Sequence, residues 1–121
     1  VSGQLREGYD AMDAVGAVLP AGTLSGAPKI RACEIIDELE NDKRGIYGGA
    51  IGYLSFTEDM DFCIAIRLAF TKNNKVYIRS GAGIVTDSVA SKEYEETQMK
   101  AKAVMDAVTL ASKGGIYDTF D

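Results

Sequence analysis

The chain has no histidine and no tryptophan, and only two cysteines and two prolines among its 121 residues. Each absence closes off a class of function. Without imidazole, the side chain that most often serves as general base and metal ligand is missing. A metal would then be held by carboxylates, which suit a hard cation such as Mg²⁺. Cys33 and Cys63 stand far apart among apolar neighbours, which reads as two buried thiols in a reducing compartment, the cytoplasm by default. Basic residues are outnumbered, 13 Lys and Arg against 18 Asp and Glu, for a net charge of −5. That balance argues against a nucleic-acid partner, which needs a basic face. No apolar run approaches the ~20 residues of a membrane span. The opening Val1-Ser2-Gly3 lacks an initiating Met and the basic and apolar regions of a signal peptide. It reads as sequence from inside a longer protein.

What is present describes an ordinary soluble domain, 46% hydrophobic and 26% charged, long enough to bury a core of its own. Leu5, Tyr9, Met12, Val15 and Leu19 recur at helical spacing, predicting an amphipathic helix over residues 9–19 that Pro20 stops, with Asp10 and Asp13 on its wet face. A loop of small residues follows over 21–27. Pro28 suits the first turn of a second helix reaching to 40, whose buried face is Ile30, Cys33, Ile35, Ile36 and Leu39. The middle is β-rich. A glycine-interrupted strand is expected over 48–56. A longer one over 61–70 places Phe62, Ile64, Ile66, Leu68 and Phe70 on one side and Cys63, Ala65, Arg67 and Ala69 on the other. Residues 72–75 form a hairpin turn before a returning strand over 76–79. Residues 90–111 make a long helix with Tyr94, Ala101, Val104, Val108 and Ala111 inside, and 112–121 read as a frayed tail. The fold class is therefore α+β, an antiparallel sheet with flanking helices, in a single domain.

Four features could carry chemistry. Glu93, Glu96 and Lys100 share one face of the last helix. Two carboxylates a turn apart can grip a divalent cation and the lysine can address an anion beside it, although such spacing usually makes a solvated, salt-bridged face. Thr23, between Gly22 and Gly26 ahead of a helix, suggests an anion cradle or a plain helix entry. Gly81-Ala82-Gly83 could offer backbone N–H groups to a second anion or simply turn the chain. Arg67, among small neighbours, has room for a bidentate contact to a carboxylate, from a ligand or from an Asp or Glu of the fold. Together they describe a site for a small dianionic acid held with Mg²⁺.

Five segments, taken in order, resemble one family. They are Pro-Ala-Gly-Thr-Leu-Ser-Gly-Ala-Pro-Lys (20–29), Glu-Ile-Ile-Asp-Glu-Leu-Glu (34–40), Arg-Gly-Ile-Tyr-Gly-Gly-Ala-Ile-Gly-Tyr (44–53), Gly-Ala-Gly-Ile-Val-Thr-Asp-Ser (81–88) and Glu-Tyr-Glu-Glu-Thr (93–97). They are similar to the chorismate-utilising enzymes, and their wording most resembles the anthranilate-forming members. The aminodeoxychorismate-, isochorismate- and salicylate-forming members, or a binding module without turnover, are the alternatives. The resemblance implies that 1–121 is the carboxy-terminal part of one chorismate-binding catalytic domain, itself part of a two-sheet α/β sandwich. It implies Glu96 and Glu93 at Mg²⁺, and Tyr47, Arg67, Gly81, Ala82 and Gly83 around the carboxylate and enolpyruvyl groups of chorismate. Thr23 and Lys100 are implied at the reacting centre. A glutamine amidotransferase partner supplying ammonia follows as well. Leu68 stands where relatives usually carry Thr, and the upstream half that brings further metal-site glutamates in relatives is missing, so the chain is expected to be inactive alone. Its unpaired strand edges are expected to favour self-association.

Overall fold

A computed structural model describes residues 3–57 and 59–114. The chain divides into two compact units, Val1–Ala65 and Ile66–Asp121. The first combines three helices, and the second one helix, with a two-stranded antiparallel sheet, so the α+β class is what the chain adopts.

In the first unit, α1 spans Ala11–Val18. Asp10 and Asp13 do more than face water: each side chain accepts from the other's backbone N–H at 2.9 Å, a reciprocal cap of the helix start. The small-residue loop contains a single helical turn, α2 (Gly22–Ser25), where none was expected. Ser25 Oγ bonds back to Ala21 O at 3.1 Å, and Gly26 leaves the turn at φ +94°. Helix α3 spans Lys29–Leu39, with Pro28 as its cap and α2 packed against it. Ala32, Cys33 and Ile36 are half-buried, but Ile30 and Leu39 are 77% and 75% exposed. The expected apolar face is covered only at its middle, because α2 is a single turn and cannot span an eleven-residue helix.

Strand β1 (Ala50–Leu54) pairs with β2 (Met60–Ile64). Beyond this ladder, Gly48 N donates to Ala65 O and Ala65 N donates to Gly49 O, each at 2.9 Å. Two residues thus face one, and Gly48 carries φ +82°, which is a glycine-type β-bulge. Ala65, 3% exposed, is the buried hydrophobic residue among the described residues.

The strand expected over 61–70 is broken. It stops at Ile64 and resumes in the second unit as β3 (Ala69–Lys72), with Arg67 at φ +52° between. A left-handed residue cannot continue a ladder, and Ala65 has already spent its N–H and C=O on the bulge. Cys63 is exposed rather than buried, since only one face of the two-stranded sheet is partly covered. The second hairpin is as expected: β3 pairs with β4 (Lys75–Ile78) through Asn73 and Asn74 at φ +51° and +57°, the two left-handed residues of a tight hairpin turn. Phe70 and Tyr77, opposite each other in register, stack at 5.0 Å. Helix α4 (Ala90–Ser112) packs against β4. Ala101, Val104 and Val108 are half-buried, whereas Tyr94 and Ala111 are exposed, because β4 meets only part of so long a helix. The tail expected over 112–121 lies, from 115 on, outside the described residues.

Gly52 stands where no side chain fits. A Cβ there would collide with Asp61 O and lie 2.7 Å from Phe62 Cα. Gly52→Ala should therefore unpair the first hairpin and cost more than about 2 kcal/mol. Urea unfolding, with cross-strand contacts between 52 and 62 followed by NMR, would measure it; an unchanged midpoint would refute the tight approach.

Candidate functional site

The second unit holds most of the candidate residues. Along α4, Lys100 Nζ lies 2.5 Å from Glu96 Oε1, and the same Nζ donates to Gly81 O at 3.3 Å. One residue before that carbonyl, Ser80 Oγ donates to Thr97 O at 2.8 Å. Two side chains thus fasten the start of the glycine-rich loop to one stretch of helix. This brings Glu96, Lys100 and Gly81 together, with Glu93 one turn back on the same helix. Ser80 had no assigned role in the sequence pattern, since a serine before Gly-Ala-Gly reads only as more small-residue loop. Gly81 and Ala82 are half-buried and Gly83 is exposed, with nothing within 4 Å of where its Cβ would be. The backbone there is open to a ligand.

Glu93 and Glu96 offer hard carboxylate oxygens, a donor set that suits Mg²⁺, which binds through one or two carboxylates and keeps several waters. Among the described residues, no group of three or more acidic or thiol side chains converges as a metal cage. The fit is therefore that of two protein carboxylates. Arg67 is exposed, and among the described residues no hydrogen bond or ion pair holds its guanidinium. It stands in the break between strands rather than in the sheet groove that the alternation suggested.

Thr23 and Tyr47 belong to the first unit. Thr23 is exposed in α2, and Tyr47 is half-buried in the turn closed by Gly49 N donating to Ile46 O at 3.2 Å. Gly48, third in that turn, takes the positive φ that a type II turn asks of that place. Its missing Cβ would sit 3.7 Å from Leu24 side-chain atoms, so the Tyr47–Gly48 turn packs against the Thr23–Leu24 turn. Arg44 joins them. Its Nε and Nη2 donate to the Glu40 carboxylate at 2.6–3.1 Å and its Nη1 to Leu24 O at 2.9 Å, while the guanidinium carbon lies 6.0 Å from the Tyr47 ring centre. Its hydrogen bonds to Glu40 hold Arg44 above the usual arginine range, with burial opposing.

A family model for chorismate binding enzymes matches residues 1–106. Anthranilate synthase component 1 of Aquifex aeolicus is 57% identical over 113 residues, 93% of this chain and 23% of that protein. The Pseudomonas aeruginosa protein of the same name is 61% identical over 113 residues, with the same shares. That of Neisseria meningitidis serogroup B is 55% identical over 114 residues, 94% of this chain and 23% of its own. The chain thus spans about a quarter of the length of these relatives.

The tether to the glycine loop can be tested directly. Lys100→Met keeps the helix but removes the donor to Gly81 O, so amide exchange at Gly81, Ala82 and Gly83 should rise about fivefold, equivalent to about 1 kcal/mol. Unchanged exchange by NMR would show that the contact does not order the loop.

Proposed function

The chain belongs to the chorismate binding enzyme family, and from that membership we propose that it is a segment of an anthranilate synthase component 1. The proposed reaction is chorismate and ammonia to anthranilate, pyruvate and water, in tryptophan biosynthesis in the cytoplasm. Ammonia adds to the ring as the ring hydroxyl leaves, and loss of the enolpyruvyl group as pyruvate makes the ring aromatic. The observation that carries this reading is identity of 55–61% over 93–94% of the chain to proteins of that name. A glutamine amidotransferase partner is proposed as the ammonia source. No helix among the described residues is long and apolar enough to cross a membrane.

In this reading, Arg67 receives a carboxylate of chorismate through its planar pair of donors. The backbone of Gly81, Ala82 and Gly83 offers N–H groups to the other anionic end, and Lys100 places positive charge beside it. Within the first unit, Tyr47 is proposed as an aromatic ring with a hydroxyl, and Thr23 as a second hydroxyl, that contact chorismate. Glu93 and Glu96 would hold Mg²⁺. When bound, the ion would supply charge neutralisation to the ring carboxylate and orient it. Because the chain matches about a quarter of its relatives' length, we propose that it carries part of the site and does not turn over alone.

A second reading, a binding piece that associates with copies of itself, is favoured by the two-stranded sheets, which leave outer edges unpaired among the described residues. Concentration-dependent elution in size-exclusion chromatography would support it, and a clean monomer would count against it. For the first reading, Arg67→Ala should weaken chorismate binding by at least about tenfold, the loss of one charge-assisted pair. NMR titration of the labelled chain with chorismate, with and without Mg²⁺, reads this out. Unchanged affinity would remove Arg67 from the pocket, and release of anthranilate by the chain alone would overturn its proposed inactivity.

A further inference from the structure

We infer that Arg44 is the positioning residue for Thr23 and Tyr47, setting the two turns that carry them through one guanidinium; this rests on the reading of those two residues as contacts of chorismate. Three segments of the first unit meet at its donors. The carboxylate of Glu40, which caps α3, takes Nε and Nη2. Leu24 O, the carbonyl next to Thr23 at the end of α2, takes Nη1 at 2.9 Å. The Tyr47 ring lies 6.0 Å from the guanidinium carbon, within range of a cation–π contact.

The geometry requires a guanidinium. One planar group spends three directed donors on two acceptors at different angles and presents a face to a ring. Lysine could keep the charge and one of those contacts. The side chain is 26% exposed and Glu40 33%, so the pair is better shielded than the open pairs of Arg31 with Glu34 and Glu38, which are more than half exposed. Leu24 is held a second time, by packing against Gly48 beside Tyr47. Gly48 and Gly49 are in turn hydrogen-bonded to Ala65. Moving Arg44 therefore shifts Thr23 and Tyr47 relative to each other, while the β1–β2 ladder remains as an anchor.

The test compares the unmodified chain with Arg44→Lys, Glu40→Gln and Arg67→Ala by NMR titration with chorismate and Mg²⁺, with a urea midpoint for each. Arg44→Lys should move the amide resonances of Thr23 and Leu24 and the ring resonances of Tyr47 before any ligand is added. It should also weaken chorismate about tenfold, with the cross-strand contacts of the first hairpin kept. Glu40→Gln retains the bond to Leu24 O and should change both readouts in the same direction but less, and it decides the matter if Arg44→Lys does not fold. Should Arg67→Ala weaken chorismate while Arg44→Lys, or Glu40→Gln in its place, alters neither resonances nor affinity, the positioning role is refuted and the pocket reading stands. Should chorismate produce no response in the unmodified chain, or one indifferent to every variant, the pocket reading fails and the proposal falls with it.

Discussion

The first unit depends on the pairing of Gly48 and Gly49 with Ala65. This bulge is where β1 begins, where β2 ends, and where the least exposed hydrophobic side chain among the described residues lies. An ordinary ladder pair at this point would send the chain straight on. The bulge turns it instead, and the turn presents Tyr47 to one side. Only glycine takes φ +82° without steric cost, so the glycine at 48 is a backbone requirement. Arg44 and Leu24 then fasten α2 onto the same turn. In this unit the position of a candidate ligand-facing side chain follows from hydrogen bonds to backbone more than from apolar burial.

The second unit solves a related problem differently. Its loop over 79–89 has no ladder partner among the described residues, so side chains hold it. Ser80 uses a helix carbonyl that already serves the helix, and Lys100 divides its donors between Glu96 and Gly81 O. The lysine thus does two jobs at once. It neutralises one of two neighbouring carboxylates and it fixes a loop carbonyl. A bare Glu93–Glu96 pair would repel itself across one helical turn, and the nearby ammonium lowers that cost in the absence of any cation.

How much of this was legible in the sequence depends on how local each cause is. The Asn73-Asn74 hairpin, the bounds of α4 and the stop at Pro20 were readable because neighbouring residues decide them. The cap formed by Asp10 and Asp13 is local too, since a side-chain acceptor at the N-cap and an acid three residues later form a capping box, although their place on the polar side of the stripe suggests only a wet face. The break at Arg67 was hidden. Its alternating neighbours fit a strand at every position, and only the competing demand of the bulge on Ala65 ends β2 early. Arg44 and Ser80 were hidden for a different reason: their partners, Leu24 O and Thr97 O, are backbone carbonyls 20 and 17 residues away. A backbone acceptor leaves no mark in a pattern of side chains.

The exposed apolar residues complete the physical picture. Burying a side chain such as Ile or Leu contributes about 1.5–3 kcal/mol, yet Ile30 and Leu39 on α3 and Met99 and Leu110 on α4 stand largely in solvent. Ile30 and Leu39 fall on the expected buried face of α3 because their spacing is that of a core-facing helix, while Met99 and Leu110 lie outside the stripe expected on α4. The spacing and the exposure are both real, and they are reconciled if hydrogen-bonded turns hold local geometry while apolar burial is left unused. Anything that covers those helix faces would then add stability by binding the folded form. It would do so without needing to form the turns at Tyr47 and Gly81, which are already hydrogen-bonded in the chain by itself.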